Sequence, residues 1–269
     1  MANSQESAPK GRPRGRRRKN DDSLSEENIL AAAIAILDAE GLEGLTIRRL
    51  AQELHCAVAS IYWYVKNKDE LLQFVSSEIL RRLFEEYDGY RSKGVYIPER
   101  FAHHNFRQFS DSTPEVAREA LSEIRLLLLC LFTKMLDHRW LALQFLNSGP
   151  GADEGFDYWE RIGQAVSKLG LDQKTQFYVT MAIVNCASGL GVEISSHVGH
   201  KNIDPADWSS IREEQQQAWQ QLDAERFPFF TAGFGQFLSF DPEEFINSEV
   251  NSFALGIDLL LSGLEQFAR

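Results

Sequence analysis

The sequence is poor in cysteine and contains no long apolar run. Its three cysteines, Cys56, Cys130 and Cys186, fall in no Cys-x-x-Cys or Cys/His spacing. This argues against a disulfide framework or a zinc site and favours free thiols in a reducing cytoplasm. No run approaches the roughly eighteen apolar residues that a membrane-spanning helix needs. The basic N-terminus has no apolar segment behind it, so we do not expect a secretory signal.

Patterns typical of strands and of active sites are also missing. No stretch alternates apolar and polar residues over five positions, and there is no hairpin signature or internal repeat. The acid-rich metal motifs of helical enzymes are absent, as are Ser/His/Asp and Cys/His sets. The sequence therefore predicts an all-α protein that is not an enzyme. Its 269 residues suffice for one large or two small domains.

The charge is distributed unevenly along the chain. The formal net charge is −11, which by itself argues against a nucleic-acid partner. Residues 1–20, however, hold seven basic residues against a single acid, so the rest of the chain carries −17. Residues 1–22 have no apolar periodicity, and we expect them to form a disordered basic arm.

Within this arm, residues 10–16 read Lys-Gly-Arg-Pro-Arg-Gly-Arg and resemble an AT-hook. Glycine and proline give a thin, extended backbone that fits the narrow minor groove of A·T-rich DNA. In that interpretation Arg12 and Arg14 contact DNA. A generic phosphate-binding arm remains the alternative.

Three short helical patterns follow within residues 23–70. A helix over residues 25–40 has one apolar stripe, begins at a capping box formed by Ser23 and Glu26, and stops at Gly41. Thr46 is a good N-cap for a second helix over residues 47–54. A turn at residues 55–57 leads to a third helix over about residues 58–64.

Two stretches of this unit resemble the DNA-binding domain of the tetracycline-repressor (TetR) family. They are G-L-E-G-L-T-I-R-R-L-A-Q-E-L, Gly41 to Leu54, and I-Y-W-Y-V-K-N-K-D-E-L-L, Ile61 to Leu72. The resemblance implies a helix-turn-helix that reads DNA, followed by a ligand-binding and dimerisation domain over residues 71–269. His55 stands where the family usually has glycine, and histidine is among the residues that tolerate positive φ.

The resemblance also implies which residues contact DNA. Ile61 and Val65 belong to the small core, whereas Trp63 is either core or contact. The third helix offers no Asn, Gln or Arg for bidentate base recognition, so direct discrimination per base should be modest. The expected contacts outside the arm are Thr46, Arg48, Val58, Ala59, Ser60, Tyr62, Trp63, Tyr64, Lys66 and Lys68.

The remaining helices carry many aromatic residues, which suit a pocket for a small hydrophobic effector. His138 and Glu193 fall where the tetracycline repressor surrounds its magnesium–tetracycline complex, but Phe84 replaces a further histidine of that site. We therefore expect no metal, no required cofactor and no magnesium-chelate ligand, and favour an uncharged effector. The candidate effector residues are Phe84, Phe109, His138, Trp140, Phe145, Trp159, Asn185 and Glu193.

Two helices, over residues 175–193 and 253–265, combine apolar and small residues. Small residues allow close helix approach, as in a four-helix bundle across a two-fold axis. The alternative is that both helices only build the core of their own chain. The predicted interface residues are Ala182, Gly189, Phe253, Gly256, Leu260 and Gly263.

These features together predict a cytoplasmic transcriptional regulator that acts as a homodimer. The expected partners are a palindromic double-stranded DNA operator and a small hydrophobic effector, without a membrane. The favoured function is a repressor that the effector releases from the operator. The alternative is a TetR-fold interaction protein, or an activator, that does not respond by effector-induced release.

Overall fold

The computed structural model describes residues 24–148, 153–197, 213, 217, 220–237 and 242–268. Within these ranges the chain contains only helices, turns and irregular segments, which confirms the all-α prediction. Among the described residues, no helix is both long and apolar enough to cross a membrane. The α-helices are α1 (Glu26–Gly44), α2 (Ile47–Glu53), α3 (Val58–Ile61), α4 (Lys68–Ser92), α5 (Glu115–Asp137), α6 (Trp140–Ser148), α7 (Asp153–Ser167), α8 (Gln173–His197), α9 (Pro228–Phe237) and α10 (Pro242–Glu265).

Side-chain caps fix where the first helices begin. The N-cap of α1 is Ser25, whose hydroxyl accepts a hydrogen bond from the amide of Asn28 at 3.2 Å. The capping box predicted at Ser23 lies partly outside the described residues. Thr46 caps α2 by accepting from the amide of Arg49 at 3.0 Å, as predicted. Each cap satisfies a backbone donor that the helix itself leaves unpaired.

The first three helices pack around a small apolar core with the start of α4. The apolar stripe of α1 is buried, and α1 runs past its predicted stop to Gly44, with a break at Gly41, whose φ is 70°. His55 ends the α2 turn at φ 50°, the positive value anticipated for that position. The main buried residues of this core are Ile29, Ala33, Ile36, Leu37, Leu45, Leu50, Ile61, Val65, Leu71 and Val75.

Helix α5 is the centre of the larger domain. Its apolar run, residues 126–132, is completely buried, as its uniform composition predicts. Helices α4, α6, α7, α8 and α10 all pack against it. Helix α4 is continuous from the first core into this domain, so it joins the two parts mechanically.

Two segments differ from the sequence-based expectation. From the sequence we expect a short helix around residues 101–109, but the structure has a 3₁₀ turn, Glu99–Phe101, followed by irregular backbone. Carboxylates of α10 hold this backbone: Asp258 accepts from the amide of Arg107, and Glu265 from that of Ser110. From the sequence we expect an aromatic, glycine-containing connection from residue 227 onwards. The structure instead has helix α9, which Pro228 opens at a position where a missing N–H costs nothing.

Candidate functional site

Helix α3 is shorter than predicted. It ends at Ile61 instead of Tyr64, and the chain continues in a tight turn over residues 62–64. The amide of Tyr64 donates to the carbonyl of Ile61 at 2.9 Å, an i→i+3 contact that closes this turn. The predicted reading surface is therefore one helical turn plus an aromatic turn, and we call residues 58–64 the reading face.

The reading face is exposed on top of a buried support. Ile61 and Val65 lie in the core, as predicted, whereas Val58 and Tyr62 are exposed. Trp63 is 88% exposed, which decides between the two interpretations of this residue: it is not part of the core. Ala59 is exposed and Ser60 is partly buried. Val58, Tyr62 and Trp63 are thus exposed large side chains within one short segment, and such clusters, unlike single exposed residues, indicate contact surfaces.

Tyr64 is less available than its neighbours. Its hydroxyl donates to the carbonyl of Leu24 at 2.9 Å and so links the turn to the start of α1. A phosphate oxygen is only an acceptor, so the Tyr64 hydroxyl cannot donate to it while this hydrogen bond persists.

The cations around the reading face divide into committed and available groups. Arg49 pairs with Glu53 at 2.7 Å and with Glu40 at 2.8 Å, and these hydrogen bonds raise its pKa. Lys68 is partly buried, and its ammonium donates to the carbonyl of Leu42 at 2.6 Å. That contact joins α4 to the end of α1, so the predicted phosphate contact of Lys68 competes with an internal one.

Arg48 and Lys66 are the more available cations. Arg48 opens α2, is exposed, and has no ion pair within the described residues. Lys66 is 87% exposed and lies 3.6 Å from Glu70. Arg12 and Arg14 of the basic arm lie outside the described residues.

A cleft between α6, α7 and α8 collects three of the eight predicted effector residues. Phe145, Trp159 and Asn185 line it, and its volume is about 60 Å³. The sequence-based reasoning missed three further lining residues. They are Leu146, Val184 and Ser188, whose i+1, i−1 and i+3 spacing from the predicted residues was the available signal.

The other predicted effector residues lie elsewhere. Phe84 packs beneath the Arg161 guanidinium at 4.4 Å, and Phe109 beneath that of Arg125 at 4.5 Å. Glu193 is exposed on α8. His138 and Trp140 both contact Asp38 of α1.

Nδ1 of His138 lies 3.0 Å from the Asp38 carboxylate, so the nearest acid to this histidine belongs to α1. Within the described residues, no three His, Cys, Asp or Glu side chains lie close enough to hold a metal ion.

A second concave surface, the α8–α10 groove, contains part of the predicted dimer interface. Ala182, Leu260 and Gly263 line this groove of about 340 Å³, and Gly189 is exposed on α8. The other lining residues, which the prediction missed, are Val179, Ile183, Leu259, Leu264 and Phe267. Leu255, Leu259 and Gly263 recur every four residues along α10, and Phe267, two residues past its end, continues the spacing. This pattern indicates a continuous apolar face.

Phe253 and Gly256 do not belong to this surface. Phe253 is 1% exposed and stacks on Phe132 with ring centroids 3.5 Å apart. A Cβ at Gly256 would lie 2.9 Å from Cδ1 of Leu190 on α8. Phe253 therefore packs within the core of its own chain, and Gly256 is partly buried beside α8.

Comparison with known proteins agrees with this geometry. The family model for bacterial regulatory proteins of the tetR family matches residues 29–75. The model for tetracyclin repressor-like C-terminal domains matches residues 127–268, which is more than half of the chain.

Individual relatives match the N-terminal part. The tetracycline repressor protein class E of Escherichia coli is 44% identical over 59 residues, 22% of this chain and 28% of that protein. The transcriptional repressor DrrR1 of Streptomyces coeruleorubidus is also 44% identical over 59 residues, 22% of each protein. The similarity thus spans less than a third of either relative.

A solved structure extends the similarity to the whole fold. ActR of Streptomyces coelicolor, in complex with (S)-DNPA, is 25% identical with a TM-score of 0.60, over 90% of this chain and 97% of that one. The helix-turn-helix geometry, the two family models and this shared fold together show that the chain belongs to the tetR family of bacterial regulatory proteins.

Proposed function

We propose that the protein is a dimeric transcriptional repressor that binds a two-fold DNA operator and leaves it when a small apolar molecule enters the cleft. The observation that carries this proposal is the reading face, where exposed Tyr62 and Trp63 stand on the buried support of Ile61 and Val65. A helix-turn-helix places its second helix in the major groove. Val58 and Ala59 would meet thymine methyl groups there, and Ser60 a base edge.

The charge pattern makes this a weakly attractive surface for DNA. Arg48 and Lys66 are the cations free to reach phosphates beside the reading face, and Thr46 lies at the adjoining N-terminus of α2. Arg12 and Arg14 would add contacts from the arm. With so few phosphate contacts, the salt dependence contributed by each helix-turn-helix should be shallow.

Pairing of two chains would let both reading faces bind one operator, so that the second contact becomes intramolecular and the combined affinity far exceeds that of one face. The α8–α10 groove is apolar, and exposed Leu255, Leu259 and Phe267 border it. A second copy of the same groove would bury these side chains, with Ala182, Gly189 and Gly263 allowing close approach. The two reading faces would then enter successive major grooves.

The effector step rests on the cleft and on a relative. ActR forms complexes with (S)-DNPA and with actinorhodin. The cleft here combines apolar Phe145 and Trp159 with the polar groups of Asn185 and Ser188, a lining that suits a mainly apolar molecule with a few polar groups. No metal or cofactor is needed for such binding.

The size of the cleft indicates how an effector would act. Pockets for drug-sized ligands hold roughly 300–1,000 Å³, whereas this cleft holds about 60 Å³. An effector must therefore separate α6, α7 and α8. It would favour an expanded state, and DNA affinity would fall by the effector's differential affinity for the two states.

A gel-shift experiment with DNA from upstream of the protein's own gene tests DNA binding. We expect a saturable complex at low salt that competitor DNA of random sequence does not displace. Failure to shift any upstream fragment at low salt would refute the proposal.

The small cleft also favours a second candidate, a TetR-fold regulator that stays on DNA regardless of effector. The variant Ser188→Phe distinguishes the two, because it fills and expands the cleft from within. Release by expansion predicts weaker DNA binding by a variant whose helical circular-dichroism spectrum is unchanged. Unchanged DNA binding by the folded variant would favour the second candidate.

A further inference from the structure

The corner between α5 and α6 is attached to the helix-turn-helix by one carboxylate. Asp38 on α1 accepts a hydrogen bond from Nε1 of Trp140 at 2.9 Å, and the same oxygen lies 3.0 Å from Nδ1 of His138. The Trp140 side chain is almost fully buried, whereas Asp38 is 35% exposed. The corner contains only His138 and Arg139, and Trp140 follows it as the first residue of α6.

The end of α1 that carries Asp38 is also where the helix-turn-helix is connected internally. Glu40 pairs with Arg49 of α2, and the carbonyl of Leu42 accepts from Lys68 of α4. A displacement of Asp38 is therefore passed by polar contacts to the helix before the reading face and to the helix after it.

On its other side, the corner leads directly to the cleft. Trp140 is the first residue of α6, and Phe145 and Leu146, one turn or more later, line the cleft. Of the three cleft helices, α6 packs on α1 and α7 packs on α4. Helix α7 contacts the C-terminal half of α4, where Arg161 of α7 pairs with Asp88 at 2.9 Å.

That half of α4 is fastened to the larger domain. Glu86 pairs with Lys134 of α5, and Arg91 pairs with Glu123 of α5 at 2.7 Å. A movement of α7 therefore acts on a part of α4 that α5 holds in place and that lies away from the reading face. A movement of α6 acts on α1, which belongs to the helix-turn-helix.

We propose that Asp38 is the coupling residue through which the state of the cleft reaches the DNA-reading unit, with the Trp140 indole as its main contact. This inference rests on the proposed function, since it assigns a residue to the communication between DNA and effector sites. Coupling between two sites is reciprocal. DNA binding should therefore stabilise α6 even without an effector.

Hydrogen–deuterium exchange of the full-length protein tests this, with a duplex that the wild type selects from a random pool. We expect the duplex to slow exchange in peptides covering residues 138–148 by about threefold or more, because local opening of α6 is coupled to the DNA-bound state. Asp38→Ala and Trp140→Phe should abolish the slowing. Asp38→Asn should preserve it, because the amide oxygen still accepts from the indole.

Asp88→Ala is the matched control, since it removes the carboxylate of α4 that pairs with Arg161 of α7. The Asp88→Ala protein should still show slower exchange when the duplex binds. If the slowing were lost merely because the domain had become looser, Asp88→Ala would lose it as well. A wild-type slowing that survives in folded Asp38→Ala, or that is lost in Asp38→Asn, would overturn the assignment. So would a bound duplex with no slowing in the wild type. If no duplex is selected at low salt, the proposed function itself fails.

Discussion

Trp63 illustrates at the residue scale how exposure separates function from folding. It is 88% exposed, although its neighbours Ile61 and Val65 are buried. Its side chain therefore adds little to the free energy of unfolding. With exposed Val58 and Tyr62 near it in the sequence, Trp63 belongs to a cluster of the kind that indicates a contact surface.

Replacing Trp63 by alanine should weaken operator binding without affecting stability. We expect the dissociation constant to rise about tenfold, a loss of about 1.4 kcal/mol, while the free energy of unfolding changes by less than about 0.5 kcal/mol. Fluorescence anisotropy with a labelled operator and chemical denaturation measure the two quantities. Phe229→Ala is the control, because Phe229 is 84% exposed on α9 and should not affect DNA binding. Equal affinities for the wild type and Trp63→Ala would contradict the assignment of the reading face.

The backbone conformation of His55 gives a second prediction at the residue scale, which concerns stability. Its φ of 50° is a left-handed conformation, which costs a β-branched residue more than histidine or glycine. His55→Val should lower the free energy of unfolding by about 1–2 kcal/mol, and His55→Gly should not lower it by more than about 1 kcal/mol. Urea denaturation of the two variants checks this. Equal stability of the valine and glycine variants would show that the turn has a different backbone conformation in solution.

Residues whose partners are close in sequence were predictable, and residues with distant partners were not. Thr46, for example, caps α2 through the amide of Arg49 three residues later, and this signal is present in the local sequence. Tyr64 and Lys68 instead bind the carbonyls of Leu24 and Leu42. Only the packing of α1 on the other helices brings those carbonyls within reach, so both side chains appeared free to contact phosphate.

At the scale of elements, contacts from α10 determine the conformation of the segment between α4 and α5. Arg125 of α5 is buried, lies over the rings of Phe106 and Phe109, and approaches Asp258 to 3.3 Å. Burial lowers the pKa of Arg125, and the charge of Asp258 opposes this effect. Because Asp258 lies more than 130 residues after Arg125, no local pattern could reveal that this segment is irregular rather than helical.

Asp258→Ala should be strongly destabilising. It leaves the buried guanidinium of Arg125 without its carboxylate and the amide of Arg107 without its acceptor. We expect a loss of about 3–5 kcal/mol in the free energy of unfolding, typical of a broken buried ion pair.

Asp137→Ala is the control, since it breaks the exposed pair with Arg100 and should cost less than about 1 kcal/mol. Guanidinium denaturation measures both variants. Similar small losses for the two would mean that the buried pair does not hold this segment.

Helix α10 also shows how far periodicity can assign faces. The composition of this helix predicts apolar residues on nearly all sides. Apolar residues do occupy both the face toward the core and the exposed face. Periodicity does not reveal which face closes the core: Phe253 is buried there, whereas Leu255 and Leu259 are exposed. The choice depends on where Phe132 and Leu190 lie, which is a property of the whole bundle.

For the whole molecule, the α8–α10 groove is expected to decide the oligomeric state. Leu259→Glu places a charge in the apolar groove and should convert the dimer to a monomer, because burying an unpaired carboxylate is costly. Sedimentation velocity measures the change. Val116→Glu is the control, since Val116 is similarly exposed on α5 outside the groove and should leave the dimer intact. A Leu259→Glu protein that sediments as a dimer would place the interface elsewhere.

The scattered positions of the predicted effector residues show a limit at this scale. The aromatic-rich composition predicted a pocket in the larger domain, and Phe145, Trp159 and Asn185 do meet in one cleft. Phe84 and Phe109 instead lie beneath arginines, and His138 and Trp140 reach across to Asp38. Composition gives the number of aromatic residues but does not show which of them line the same cleft.

Selection of DNA from a random pool, followed by sequencing of the bound fraction, tests the central claim most directly. A two-fold dimer whose reading faces enter successive major grooves predicts an inverted repeat with half-site centres about 10–10.5 base pairs, or a multiple of one helical turn, apart. The Trp63→Ala protein should enrich this repeat far less. No enrichment by the wild type at low salt, or enrichment of a site without two-fold symmetry, would contradict the account.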